Sequence, residues 1–455
     1  MRDATTVNPI AIVGAGPAGF FAAEALLKRP SVRVDLFERL AAPFGLVRYG
    51  VAPDHQKIKQ VEAGFTRTAS DPRLRYFGNV SLGQDLSVSD LLEAYDQVVF
   101  AMGCQAARPL GVSGESTAGV YSALDFVSWY NAHPEYVSLP VRLDVENVVV
   151  VGAGDVSLDL SRLLTATDAE LATTDMPPYA LAEFKKRRVK RVHVLIRRGP
   201  ENANFALKEL HGVLDREYIR TECDTRLLST TLADASLPKE QRAKLEFILA
   251  CCERSRSQAS SAADPRIHFH FLRSPHAFVE QAGRLARVRV ELNRLEPTSL
   301  GEPRAVGSGE FEDFDAELAI FAVGYRGVKV SGIELDSRSG LIPNDEGRVT
   351  SADGKIDQRQ YVVGWLKRGP QGVIGTNKGD ARATVEHMLQ NLPEPSRILP
   401  PTPELLRQRG VRFVDFKDWQ ELDRLERERG ALVNKPREKW LSTKEAIEAL
   451  STAKV

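Results

Sequence analysis

Residues 10–38 read IAIVGAGPAGFFAAEALLKRPSVRVDLFE. The apolar run 10–13 suits a buried parallel strand, Gly14, Gly16 and Gly19 supply G-x-G-x-x-G, and residues 20–28 read as a helix. VRVDLFE predicts a second strand that ends in Glu38, which completes a β-α-β unit. Each glycine has a separate task. Gly14 permits a tight turn out of the strand, Gly16 lets backbone approach a pyrophosphate, and Gly19 lets the helix pack closely on the strand. A helix that begins here turns unpaired N–H groups and a partial positive charge towards phosphates. Glu38, nineteen residues after Gly19, is placed to accept hydrogen bonds from a ribose. A carboxylate at that point suits a free 2′-hydroxyl, as in FAD or NAD, and opposes a 2′-phosphate.

A second stretch, residues 146–164, repeats the pattern as ENVVVVGAGDVSLDLSRLL. Gly152 and Gly154 reproduce the spacing of Gly14 and Gly16, while Ser157 takes the third glycine position. The next predicted strand, RVHVLIRRGP at 191–200, ends in Arg197 and Arg198 where an acid would otherwise stand. Two planar guanidinium forks suit a 2′-phosphate; solvated surface charges are the plainer reading of the same residues. An acid closing the first unit and two arginines closing the second assign FAD to one and NADP to the other.

The 455 residues exceed what one hydrophobic core usually supports, so two or three domains are expected. Lys+Arg and Asp+Glu each total 61, so no global field points to nucleic acid or membrane. Neither an N-terminal apolar segment nor a spanning run is evident, and a cytoplasmic location is expected. Cys104, Cys223, Cys251 and Cys252 form no C-x-x-C pair and show no metal-ligand spacing with the histidines, so they read as reduced thiols and no metal is expected.

Taken in order, residues 39–61 (RLAAPFGLVRYGVAPDHQKIKQV) read as irregular backbone too apolar to be solvated, a loop suited to lie against something flat and apolar. His55 falls at its end, where its plainest role is that of a helix-start residue. SVSDLLEAY predicts a helix capped by Ser87 or Ser89, and QVVFAMGC a buried strand closing at Gly103. Residues 165–184 read as an insertion rich in turn residues, and 254–264 (RSRSQASSAAD) as a polar loop. The basic run 185–191, KKRRVKR, is either a solvated face or a dock for an acidic partner. Residues 361–389 predict a strand, a glycine-rich loop containing Trp365, and a helix; the segment from 400 onwards reads as charged and helical.

VGAGPAGFFAAEALLK, PFGLVRYGVAPDHQKIK, VVVVGAGDVSLDLSRLL, RRGPENANFALKEL and YVVGWLKRGPQGVIGTNKGDA together resemble the adrenodoxin reductase family of ferredoxin–NADP reductases, in its bacterial pattern. The resemblance implies an α/β protein with two Rossmann-like domains, the second inserted in the first in a glutathione-reductase-like arrangement: an FAD domain from 1–105 and 326–455, and an NADP domain from 106–325. It implies an enzyme that takes hydride from NADPH onto FAD and passes single electrons to an iron–sulfur ferredoxin; for an acidic ferredoxin the basic run offers Lys185, Lys186, Arg187 and Arg188 as the dock. Gly14, Ala15, Gly16, Pro17, Ala18, Gly19, Glu38, Arg39, Gly45, Leu46, Trp365, Gly372, Val373 and Ile374 fall at FAD positions by motif. Gly152, Gly154, Asp155, Val156, Arg197, Arg198 and Glu209 fall at NADP positions, and His55 and Asp159 near the electron-transfer region. Three departures from the family pattern stand out. Asp155 replaces an asparagine and brings a carboxylate towards a pyrophosphate, Ser157 replaces an alanine, and Gly212 stands where an acid is common. A non-catalytic flavoprotein sensor, or a subunit relaying electrons in a larger complex, is the competing reading.

Overall fold

The computed structural model describes residues 6–258, 261, 264–298, 303–351 and 353–453. Two compact units emerge: the first gathers 1–108, 130–137 and 324–455, the second 109–129 and 138–323. A second domain running unbroken from 106 to 325 is therefore corrected at both ends, where 106–108 and 324–325 fall in the first unit, and in its interior. Residues 130–137 join the first unit, where Asn131 O accepts from Lys439 Nζ at 3.1 Å and Glu135 pairs with Arg39.

The first unit is built on a seven-stranded sheet. β1 (Asn8–Val13) pairs in parallel with β2 (Val32–Glu38), Ile10 opposite Val34 and Ile12 opposite Leu36. Leu74–Gly78 lies beyond β2, and Gln97–Phe100 lies on the other side of β1. Every residue of β1 is buried, as expected for a parallel strand covered on both faces. Helix α1 (Pro17–Leu26) connects β1 to β2, beginning three residues earlier than the apolar run suggested because Pro17 is well suited to a first helical position. Phe20 of α1 stacks on Phe65 with centroids 5.0 Å apart. The predicted capped helix is Val88–Ala94, with Ser87 as N-cap in a full capping box.

The second unit carries a six-stranded all-parallel sheet. Its β3 (Asn147–Val151) leads into α2 (Asp155–Thr165), then β4 (Arg191–Ile196), α3 (Leu207–Leu214), β5 (Arg220–Cys223) and β6 (Arg266–Phe271). The order across this part of the sheet is β3, β4, β6, β5. An antiparallel three-stranded sheet, Arg273–Gln281, Arg284–Glu296 and Arg304–Asp315, follows β6. Residues 165–184 are not a turn-rich insertion: they hold helices Asp168–Ala172, capped reciprocally by Thr167 and Glu170, and Pro178–Phe184, with proline in its first turn. The polar stretch 254–264 starts as the end of helix Lys239–Ser257, while 259–260 and 262–263 lie outside the described residues. Among the described residues, no helix is long and apolar enough to cross a membrane.

Candidate functional site: two glycine cradles

At the C-terminal end of β1 the chain turns at Gly14, whose φ of +109° is open to glycine at little cost. A Cβ there would stand 2.5 Å from Ala101 O, and one on Gly19 would stand 2.0 Å from Gly14 O. Both positions are closed to any larger residue. Gly16 differs, since a Cβ on it meets only Gly45 Cα at 3.9 Å. That open side, at the start of α1 where no side chain caps the helix, leaves room for an anionic group.

Glu38 sits under this turn. Its carboxylate accepts from Ala15 N–H at 3.0 Å and from Leu40 N–H at 3.1 Å. Burial raises its pKa above the ordinary carboxylate value, and the Leu40 N–H, the Arg39 charge and the Ala15 N–H oppose that rise. Arg39 is held by Gln105 Oε1 at 3.0 Å, by Glu135 and by His133 Nε2 at 3.4 Å.

The loop after Glu38 is more ordered than its composition suggests. Phe44 has φ +82° and Gly45 φ +48°, and a Cβ on Gly45 would stand 3.0 Å from Gly16 Cα, so the two glycine backbones run past one another. Phe44, Val47 and Tyr49 point into the unit's own core, with Phe44 packed on Phe20 and Trp419 at centroid distances of 5.5 and 5.9 Å. These three side chains are thus spoken for within the protein, whereas Leu46 is 38% exposed and free to cover a ligand.

Arg48 anchors the loop. Its guanidinium meets Glu426 in a two-pronged contact of 2.9 and 2.5 Å, both side chains essentially fully buried. His55 begins the short helix Gln56–Lys59 and is half-buried; it occupies the N-cap position without a side-chain cap hydrogen bond.

The later glycine loop belongs to the same unit. Gly364, φ +72°, comes so close to α1 that a Cβ would lie 2.6 Å from Ala18 Cβ, and its N–H donates to Asp380 Oδ2 at 2.7 Å. Trp365 stacks on Tyr325 with rings 5.6 Å apart and 13° from parallel. Gly372 has φ +78°, Val373 is 70% exposed, and Ile374 packs partly into the core. Gly364, Asp380 and Tyr325 were not singled out from the sequence. The G-W pair following an apolar strand was the available signal for Gly364.

In the second unit Gly152 repeats the turn with φ +148°, and no atom of the described residues lies within 4 Å of a Cβ placed on Gly154. Gly154 caps α2 without a side-chain hydrogen bond, so here too the helix start is open. Val156 follows in its first turn, half-buried. Ser157 is fully buried and its Oγ has no hydrogen-bond partner among the described residues; it occupies the space against Gly152 that a third glycine would leave. The Asp155 carboxylate accepts from Ala206 N–H at 2.7 Å. It ties α2 to the following loop, a structural role that its reading as a charge facing phosphate did not include.

Arg197 is exposed and Arg198 half-buried, directly after β4. Asp159 and Glu209 converge on the buried Arg162, at 2.7 and 3.8 Å, joining α2 to α3. Gly212 is exposed on α3 with open space around it. The basic run is partly neutralised: Lys186 pairs with Glu183 at 2.7 Å, Arg187 with Asp168 at 2.8 Å and Lys190 with Glu146 at 2.9 Å.

Two β-turn-α cradles of this kind in one chain define an oxidoreductase that handles two dinucleotides. Residues 8–199 match the Pyridine nucleotide-disulphide oxidoreductase family. The chain is 39% identical to the mitochondrial NADPH:adrenodoxin oxidoreductase of Arabidopsis thaliana, over 97% of this chain and 95% of that one. It is 38% identical to the NADPH-ferredoxin reductase FprA of Mycobacterium tuberculosis, over 96% and 98% respectively. The solved structure of M. tuberculosis FprA in complex with NADPH superposes with a TM-score of 0.92 at 36% identity, covering 98% of this chain and 100% of that one. The chain belongs to the adrenodoxin reductase family of NADPH–ferredoxin reductases.

Proposed function

We propose that this protein is an FAD-containing NADPH:ferredoxin oxidoreductase. The observation that carries the assignment of the two nucleotides is the contrast at the strand ends, Glu38 after β2 against Arg197 and Arg198 after β4. The open sides of Gly16 and Gly154, each at an uncapped helix start, fit pyrophosphate groups.

In the first unit, Gly14, Ala15, Gly16, Pro17, Ala18 and Gly19 would hold the FAD pyrophosphate, Glu38 the ribose with Arg39 beside it, and Gly45, Leu46, Trp365, Gly372, Val373 and Ile374 the remainder. FAD, when bound, accepts a two-electron hydride and releases electrons singly, which is what an iron–sulfur acceptor requires. The protein's own task is positional. Gly364 locks the Trp365 turn against α1, and Leu46 and Val373 offer apolar cover that excludes water. In the second unit, Gly152, Gly154, Asp155, Val156 and Glu209 would surround NADP(H), with Arg197 and Arg198 forking its 2′-phosphate. His55 and Asp159 are assigned to the electron-transfer step by motif position.

An acidic ferredoxin would dock through the basic run, with Lys185 and Arg188 contributing most, because Lys186 and Arg187 already share their charge with Glu183 and Asp168. The free thiols at Cys104, Cys223, Cys251 and Cys252 suit a reducing compartment and support a cytoplasmic location.

The test is Arg197→Ala with Arg198→Ala. The KM for NADPH should rise about 10- to 100-fold while that for NADH changes little, since charge-assisted hydrogen bonds of this type are worth about 1.5–3 kcal/mol and Arg197 is exposed. Equal effects on both coenzymes would sink the assignment. Anaerobic bleaching of the flavin by NADPH, followed by reoxidation with ferredoxin, separates the enzyme from a sensor.

A further inference from the structure

The second unit carries a cluster that the redox reaction does not use. β5, β6 and β4 lie side by side in parallel register, which sets Glu222, His268 and His193 directly opposite one another across three strands. His270, two residues after His268 on β6, falls on the same face. The outcome is three imidazoles with a ligating nitrogen of each within 4.8 Å of the others. Nδ1 of His193 stands 2.9 Å from Nε2 of His270, and the rings of His268 and His270 stack at 3.8 Å. Phe314, from the antiparallel sheet, covers His193 and His270 at centroid distances of 4.9 and 4.6 Å.

We propose that His193, His268 and His270 form a binding site for a divalent transition-metal ion of the zinc class, with Glu222 holding His268 in place. Two lines of chemistry support it. Imidazole nitrogens bind zinc at about 2.0–2.1 Å, so a pair 2.9 Å apart spans a metal angle near 90° and needs to open by only about 0.4 Å to become tetrahedral. Glu222 Oε2 lies 3.4 Å from Nδ1 of His268, the carboxylate–histidine arrangement that fixes a ligand ring and leaves Nε2 for the metal.

The charges facing the cluster are balanced. Arg191 and Arg273 add positive field, Glu222 and Glu312 oppose it, and Arg273 is itself paired with Glu312 at 3.0 Å. His268 and Glu222 also line a cavity of about 370 Å³ together with Arg266, Cys223 and Cys252. The ion would staple β4 to β6, and so brace the strand that delivers Arg197 and Arg198.

The same cavity brings Cys223 Sγ within 2.8 Å of Cys252 Sγ, which makes thiolate ligation the rival to be separated. The experiment uses tag-free, chelator-stripped flavoprotein titrated with Zn²⁺ alone by calorimetry and with Co²⁺ alone by absorbance. One equivalent per chain should bind with micromolar or tighter affinity. His268→Gln and His270→Gln should each weaken it at least about tenfold, Glu222→Gln about tenfold, and His276→Gln or Cys223→Ser with Cys252→Ser not at all. The Co²⁺ spectrum of the unaltered protein should lack a thiolate charge-transfer band, a readout that stands even if a histidine variant folds poorly. Absence of stoichiometric binding, binding that survives both histidine substitutions, or a thiolate band lost in the cysteine variant would each overturn the proposal.

Discussion

Replacing Glu426 by alanine leaves the Arg48 guanidinium buried without its carboxylate. Both side chains of this pair are at most 1% exposed, and the two contacts of 2.9 and 2.5 Å satisfy both terminal nitrogens. Breaking a buried pair on one side costs about 3–5 kcal/mol, because the remaining charge keeps its desolvation penalty and loses its partner. The loss here falls towards the upper end, since Glu426 also accepts Trp440 N–H at 3.0 Å and faces Arg437 at 3.6 Å. At about 2–4 °C per kcal/mol for a unit of this size, the first unit should melt roughly 6–20 °C earlier. Thermal unfolding of the holoprotein, followed by tryptophan and flavin fluorescence in excess FAD, measures this directly. Arg48→Met combined with Glu426→Leu removes both charges together and should regain most of the loss. A shift below about 3 °C for Glu426→Ala, or a double variant as unstable as the two single variants summed, would refute the reasoning.

Three further outcomes follow from the geometry. Gly19→Ala should yield protein that purifies without FAD absorbance, since its Cβ has 2.0 Å to Gly14 O; a normal flavin spectrum would contradict the close helix packing. Ser157→Ala removes a buried hydroxyl that has no partner among the described residues and should be neutral or stabilising by up to about 1 kcal/mol in urea unfolding, where a clear loss would show that the hydroxyl is bonded. His133 has its pKa lowered to about 4, by burial first and by Arg39 second. Its contribution to stability is therefore complete above the unfolded value near 6.5 and is lost as pH falls towards 4. His133→Gln should flatten the stability–pH slope in that window, and an unchanged slope would remove His133 from the account.

Much of this was legible in residues 10–38 and 146–198, because a β-turn-α cradle is a local structure. Glycines at fixed offsets, an uncapped helix start and the residue closing the next strand all lie within about fifty positions of each other. The Thr167–Glu170 capping box and the proline at the start of Pro178–Phe184 were equally local, and were readable as helices rather than as an insertion. Other features have no local signature. Arg48 and Glu426 are 378 positions apart, the approach of Gly364 to Ala18 joins opposite ends of the chain, and His193 meets His270 only through strand register. The inward packing of Phe44, Val47 and Tyr49 in the loop at 39–61 was hidden for the same reason. Its partners, Trp419 and Glu426, come from a helix whose address the sequence does not carry.

The division of the chain also sets an order of events during synthesis. The second unit has all its segments once residue 323 has emerged, whereas the first waits for Glu426 and Lys439, which hold Arg48 and residue Asn131. At translation speeds of about 5–20 residues per second, the 116 residues between 323 and 439 take about 6–23 s to appear. Throughout that interval β1 has both neighbouring strands, Val32–Glu38 and Gln97–Phe100, but lacks the C-terminal segments that complete its unit. The unit that holds the glycine turn of β1 is thus the later of the two to be finished, and for that time Arg48 waits without the carboxylate that neutralises it.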